Sequence, residues 1–130
     1  MRLLLDTHVF LWYVAADARL PSVFQNAIRD RTNEVYLSVA SEWEAVIKYA
    51  LGKLPLPEPP ATYLPRQREI HQIISLPVEE EAMTFLAALP PLHRDPFDRM
   101  LIAQTLQHSL TMLTVDDAVR AYSVPLLPPT

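Results

Sequence analysis

The sequence predicts an α/β domain of three layers, with helices on both faces of a mostly parallel sheet. Two observations carry this. Short apolar runs at residues 2–5, 35–39, 72–76 and 111–114 alternate with helically patterned segments along the whole chain. No internal repeat, low-complexity tract or linker divides the 130 residues, so 1–130 reads as one domain. Half of the residues are hydrophobic, enough for a core without covalent staples.

Each element has its own local signal. Residues 2–5 form a short buried strand that stops on Asp6, and a helix follows over 7–15. Pro21 and Ser22 mark a break and open a second helix reaching about residue 31. Residues 35–39 are a second strand, running into a helix that ends near Gly52, the chain's one glycine and a natural C-terminal cap. Residues 54–65 carry five prolines and read as a stiff connector with a brief helix over 63–69. A third strand over 72–76, a helix over 77–88, a loop over 90–94 and a helix from Pro96 to about residue 108 follow. A fourth strand over 111–114, a short helix over 117–121 and an edge strand over 124–127 complete the chain.

Composition excludes several chemistries. The absence of cysteine removes disulfides, thiolate metal sites and a cysteine nucleophile, and suits a reducing cytoplasm. A single glycine leaves no glycine-rich phosphate loop or dinucleotide fingerprint. No apolar stretch approaches the roughly 18 to 20 residues of a membrane span, and no signal peptide is recognisable, so a soluble, cytoplasmic protein is expected. The net charge of −4 argues against passive coating of DNA, because such binders are basic. It argues only weakly against a metal-dependent nuclease.

Acidic residues recur where helices begin: Asp6, Glu44, Asp95 with Asp98, and Asp116 with Asp117. In an open parallel sheet, strand carboxyl ends and the following helix N-termini share one edge, where gathered carboxylates repel unless a cation neutralises them. Each position also has a structural reading. Asp6 fits an N-cap or a metal ligand. Glu44 fits a capping box with Ser41, or, if Ser38 is the cap, the second helical turn. It flanks an apolar stripe of Trp43, Val46, Ile47, Ala50, Leu51 and Leu54, and periodicity barely separates it from Glu42 on the other flank. Asp95 fits a cap before Pro96, and Asp98 aligns with Leu101, Ile102 and Thr105 on a buried face, with the helix N-terminus expected to keep it ionised. Thr114 pairs with Asp117 in a second capping box, leaving Asp116 in the first turn.

Oxygen donors without cysteine or a histidine pair favour Mg²⁺ or Mn²⁺ over zinc. His8 is near enough in sequence to contact phosphate, or to pack or cap; His71, His93 and His108 share no compact zinc spacing. Arg94, Arg99 and Lys48 fit either charge balance or phosphate positioning.

Taken in order, Leu3-Leu4-Leu5-Asp6-Thr7-His8, Ser41-Glu42-Trp43-Glu44 with Lys48 and Leu51-Gly52-Lys53-Leu54, His93-Arg94-Asp95-Pro96-Phe97-Asp98-Arg99 with Ala103-Gln104, and Leu113-Thr114-Val115-Asp116 with Tyr122 resemble PIN-domain ribonucleases, and more closely VapC toxins of toxin–antitoxin pairs. The resemblance spans about residues 2 to 127. It implies four catalytic, metal-holding acids at Asp6, Glu44, Asp98 and Asp116, choosing Glu44 over Glu42 because the family's acid follows the tryptophan. It implies accessory roles for Asp95, Arg99 and Thr114, while Val119 and Thr105 depart from the usual residues as packing changes. It further implies a five-stranded sheet in the order 3-2-1-4-5, a homodimer, Mg²⁺- or Mn²⁺-dependent endoribonuclease activity, and a small VapB-like antitoxin through which promoter DNA would be bound. A single-stranded DNA nuclease and an inactive, regulatory antitoxin-binding protein are the competing expectations.

Overall fold

The computed structural model describes residues 1–130. The elements run β1 (Arg2–Leu5), α1 (Thr7–Val14), α2 (Ser22–Arg29), β2 (Glu34–Ser38), α3 (Val39–Ala50), α4 (Pro60–Ile70), β3 (Ile74–Leu76), α5 (Ala82–Ala88), α6 (Pro96–Gln107), β4 (Thr111–Leu113) and α7 (Asp117–Arg120). The strands form one sheet in the order β3-β2-β1-β4, with every pair parallel. β1 lies inside it, Leu4 standing opposite Tyr36 of β2 on one side and Met112 of β4 on the other.

A strand covered on both faces must be apolar throughout, and Leu3, Leu4 and Leu5 are fully buried. Their alternation divides the core. Leu3 and Leu5 pack with Val9 and Phe10 of α1, Phe24 of α2 and Leu64 of α4. Leu4 points the other way, to Leu101 and Ile102 of α6 and Val119 of α7. No helix is long and apolar enough to cross a membrane.

The expected five-stranded sheet in the order 3-2-1-4-5 does not form: the sheet has four strands. The expected edge strand over 124–127 is reduced to a single parallel bridge between Met112 and Leu126. Met112 N–H donates to the Pro125 carbonyl at 2.9 Å, and Leu127 N–H donates to the Met112 carbonyl at 3.0 Å. Pro125, Pro128 and Pro129 lack the N–H groups that a longer ladder requires.

The start of α3 also departs from one of its two readings. Ser38, not Ser41, is the N-cap: its hydroxyl accepts the Ala40 N–H at 3.0 Å and donates to Gln104 Oε1 at 2.5 Å. Gln104 Nε2 in turn donates to the Pro77 carbonyl at 3.1 Å, so one buried amide ties α3, α6 and the end of β3 together. The apolar stripe of α3 faces outward, leaving Trp43 61% and Leu51 62% exposed, while Ala40, Ser41, Glu44 and Ala45 face the core. Gly52 ends this helix as expected. Its φ of +70° lies in the left-handed region, and the Gly52 and Lys53 N–H groups return to Tyr49 and Lys48 carbonyls at 3.0 and 2.9 Å.

Two helices have different starts from those expected. α4 already begins at Pro60, whose fixed φ suits a first helical position, and continues through Pro65. α5 begins only at Ala82: the Glu79, Glu80 and Glu81 carbonyls accept the N–H groups of Ala82, Met83 and Thr84, three residues on, in the tighter spacing that precedes a regular α-helix.

Ser38→Ala should therefore cost more than a cap alone, about 2 to 4 kcal/mol, since it also strands the buried Gln104 acceptor. Ser41→Ala should cost less, as Ser41 caps nothing and gives up only its one hydrogen bond to the Thr7 hydroxyl. Denaturant unfolding of both variants checks this, and equal losses would contradict the assignment of the cap.

Candidate active site

The parallel sheet delivers the predicted acids to one edge. Asp6 follows β1, Glu44 sits in the second turn of the helix that follows β2, and Asp116 comes three residues after β4. Asp98 enters from the first turn of α6. Asp6, Glu44 and Asp98 are buried, at 7%, 5% and 7% exposure, whereas Asp116 stands exposed at the rim.

Capping accounts for some of these residues and not others. Asp6 occupies the N-cap position of α1 but makes no cap hydrogen bond; its Oδ2 instead accepts the Thr114 hydroxyl at 2.6 Å. Asp95 is a genuine cap, its Oδ1 accepting the Phe97 and Asp98 N–H groups at 2.9 and 3.1 Å. Asp98 is thus free of capping duty. Asp116 caps α7 through the Ala118 N–H at 2.9 Å, and Thr114 accepts the Asp116 N–H at 3.1 Å. The expected Thr114–Asp117 capping box is therefore not formed, because the helix starts two residues later than that box requires.

Glu44 is fully engaged. Thr7 donates its hydroxyl to Oε1 at 2.7 Å while lying 2.8 Å from Ser41 Oγ, and Lys48 Nζ pairs with Oε2. A hydroxyl has one proton, so Ser41 donates to Thr7 and Thr7 to Glu44. Above this pair, the Trp43 and Phe97 rings meet edge to face with centroids 5.0 Å apart, joining the two helices that carry Glu44 and Asp98.

The electrostatics reverse one expectation. The α6 N-terminus does not keep Asp98 readily ionised: its pKa is pushed up to about 8, first by burial, then by the charges of Asp6, Asp95, Asp116 and Glu44. Burial likewise raises Asp6, opposed by the Thr114 hydrogen bond and by His8, and reinforced by Glu44. Several carboxylates are thus close enough to hinder one another's ionisation. A divalent cation relieves that penalty, and an all-oxygen donor set suits Mg²⁺ or Mn²⁺. The side chains are not preassembled for this, since no three acidic or histidine groups are gathered in chelating positions. Glu44 is instead satisfied by Thr7 and Lys48, and Asp6 by Thr114.

The basic residues separate by position. Lys48 lies within the acidic group, with Glu44, Asp95 and Asp98 all stabilising its charge against the cost of burial. His8 is exposed beside Asp6, and Arg94 is exposed on the loop before α6. Arg99 turns away: its Nη1 donates to the Pro90 carbonyl and the Tyr122 hydroxyl, each at 2.9 Å, and so braces that loop. Thr7, Ser41 and His93 were not among the expected site residues. His93 Nε2 lies 3.4 Å from Asp98 Oδ2, with Nδ1 2.8 Å from the Tyr122 hydroxyl. Its spacing of five residues from Asp98 was the available signal; for Thr7 it was the place next to Asp6.

The chain belongs to the PIN domain family, whose model matches residues 3–124. Within that class it closely resembles VapC-type toxins. It is 25% identical over 122 residues to the ribonuclease VapC22 of Mycobacterium tuberculosis, covering 94% of this chain and 92% of that one. A shorter match to ribonuclease VapC16 of the same organism is 55% identical over 38 residues, 29% of this chain and only 27% of the relative. The fold is shared with VapBC2 from Rickettsia felis, solved bound to a DNA fragment from its promoter, at a TM-score of 0.73 with 12% identity and 98% of each chain covered.

The raised Asp98 pKa has a consequence for cation-free protein. The folded state holds this proton more tightly than the unfolded chain, so stability falls as pH rises from about 4 towards 8, by up to about 1.4 kcal/mol per pH unit. Asp98→Asn should flatten that slope and raise stability at pH 7 but not at pH 4. Urea unfolding in EDTA across this range checks it, and parallel wild-type and variant profiles would contradict it.

Proposed function

We propose that this chain is a metal-dependent endoribonuclease and the toxin of a toxin–antitoxin pair. The observation that carries the reading is the buried trio of Asp6, Glu44 and Asp98, in which neither Asp6 nor Asp98 serves as a helix cap. Burying three carboxylates together is costly unless cation binding or catalysis requires them. Kinship with the PIN domain family and resemblance to a ribonuclease over nearly the whole chain support the same reading.

Asp6 and Asp98 would hold one Mg²⁺ or Mn²⁺, with Asp116 at the rim completing the site directly or through water. When bound, the cation lowers the pKa of water and neutralises charge on the scissile phosphate. The residues of the chain do the rest. Thr114 fixes the Asp6 carboxylate, Asp95 fixes the first turn of α6 and hence Asp98, and Thr7 with Ser41 fixes Glu44. Lys48, inside the acidic group, and exposed His8 and Arg94 are the cationic side chains that would draw the phosphate in. Arg99, already committed to Pro90 and Tyr122, positions the loop.

The partners follow the same reading. A second copy would cover the outer face of α3, where Trp43, Val46, Ile47 and Leu51 leave a helical stripe of apolar surface open to solvent. A small VapB-like antitoxin would bind near the acidic edge and supply any contact with promoter DNA, which this acidic chain is ill suited to make.

Antitoxin-free protein should cut end-labelled structured RNA in Mg²⁺ or Mn²⁺ and stop in EDTA. Asp98→Asn should lower turnover by about a hundredfold or more while circular dichroism is unchanged. Cutting unaffected by EDTA or by the substitution would contradict the proposal, and equal cutting of single-stranded DNA would contradict the assignment to RNA. Trp43→Glu should halve the mass measured by light scattering at micromolar concentration, and an unchanged mass would remove α3 from the dimer surface.

A further inference from the structure

We infer that the cavity beside Trp12 is a subsite for a nucleobase of single-stranded RNA, adjacent to the phosphodiester presented to the acidic edge. This rests on the nuclease reading above and names how that site would select its substrate.

The cavity is about 300 Å³, at the small end of ligand pockets, and lies between α1 and the proline-rich segment after α3. Trp12 is half-buried, with its ring lining the space together with Leu54 and Pro55. The Arg19 guanidinium lies 5.0 Å from the Trp12 ring centroid. It is held there by Asp17, which accepts Arg19 Nη2 at 2.7 Å and the Arg19 backbone N–H at 2.9 Å. The His8 ring also lies near Trp12, with centroids 6.1 Å apart and planes within 18° of parallel.

Position links the cavity to the acids. Asp6 immediately precedes α1, His8 is its second residue, and Trp12 stands four residues on, so His8 and Trp12 share one helix face. The rise of a helix puts Trp12 about 9 Å along the axis from Asp6. A strand with a phosphate at Asp6 therefore passes His8 and brings a neighbouring base to Trp12.

The lining chemistry favours a base over an aliphatic side chain from a protein partner. Flat aromatic and guanidinium surfaces stack on any base, and Leu54 and Pro55 shield that stack from water. At the rim, His8 makes no hydrogen bond within the chain and Arg19 Nη1 is free, so both can meet the polar edge of a base. An aliphatic side chain would fill the walls but make no use of these two solvent-facing donors. The charge also suits a polyanion, since an acidic chain must recruit RNA through local cations.

The test uses the full chain carrying Trp43→Phe and Asp98→Asn, in which Trp12 is the sole tryptophan and cutting is blocked. A short mixed-sequence oligoribonucleotide should quench Trp12 fluorescence, and the same strand with abasic positions should bind about tenfold more weakly or worse. In a chain otherwise wild type, Trp12→Ala should raise KM about tenfold with kcat within about threefold, and Trp12→Tyr should restore most of the loss. Metal-dependent cutting with an unchanged KM in Trp12→Ala overturns the subsite and leaves the nuclease reading standing. Quenching by RNA with no cutting by the wild-type chain supports the subsite and overturns the nuclease reading. Quenching by an apolar peptide but not by RNA overturns the subsite in favour of a protein-docking pocket.

Discussion

Everything at the acidic edge depends on β1 being paired in parallel on both sides. Parallel strands end at the same edge, so Asp6 after Leu5, Ser38 at the end of β2 and Thr114 after Leu113 are brought together by register alone. The Asp6 N–H donating to the Leu113 carbonyl at 2.9 Å is the last rung of that ladder. One step further along the chain, Thr114 reaches Asp6 and Thr7 reaches Glu44. A register slip of one residue in β1 would turn Leu4 to the wrong face and withdraw Asp6 from its partners.

The price of this convergence is electrostatic. Buried carboxylates are hard to ionise beside one another, and the chain offsets the penalty unevenly. Glu44 receives a hydroxyl and an ammonium, Asp6 a hydroxyl, whereas Asp98 receives only a distant imidazole at 3.4 Å. Asp98 is therefore where the unrelieved repulsion collects, and its pKa of about 8 expresses that. On the proposed reading, a divalent cation would relieve a site arranged in this way, which would couple ion binding to stability and to protonation.

Local physics made much of this legible in the sequence. The run Leu3-Leu4-Leu5 ending on Asp6 marks a buried strand and its edge, and Asp95-Pro96-Phe97-Asp98 specifies a cap, a first turn and a buried face, all of which the fold contains. What depends on tertiary context was not legible. Periodicity located the apolar stripe of α3 but not its direction, and the stripe lies outside because Ser41 and Glu44 are needed within. The apolar run Val124 to Leu127 resembles a strand, yet prolines confine it to one bridge and leave the sheet four-stranded. The loss of a helix-dipole argument at Asp98 has the same origin. A helix terminus acts over one turn, and burial together with the four other carboxylates around it outweighs that contribution.

The central claim is that the edge is a cation site whose repulsion a divalent ion removes. Calorimetric titration of Mn²⁺ into the protein at pH 7, repeated in buffers of differing ionisation enthalpy, tests it most directly. The account predicts binding that releases about one proton per cation, falling towards none at pH 9, with the release lost in Asp98→Asn. Absence of binding, or binding without proton release at pH 7, would contradict it.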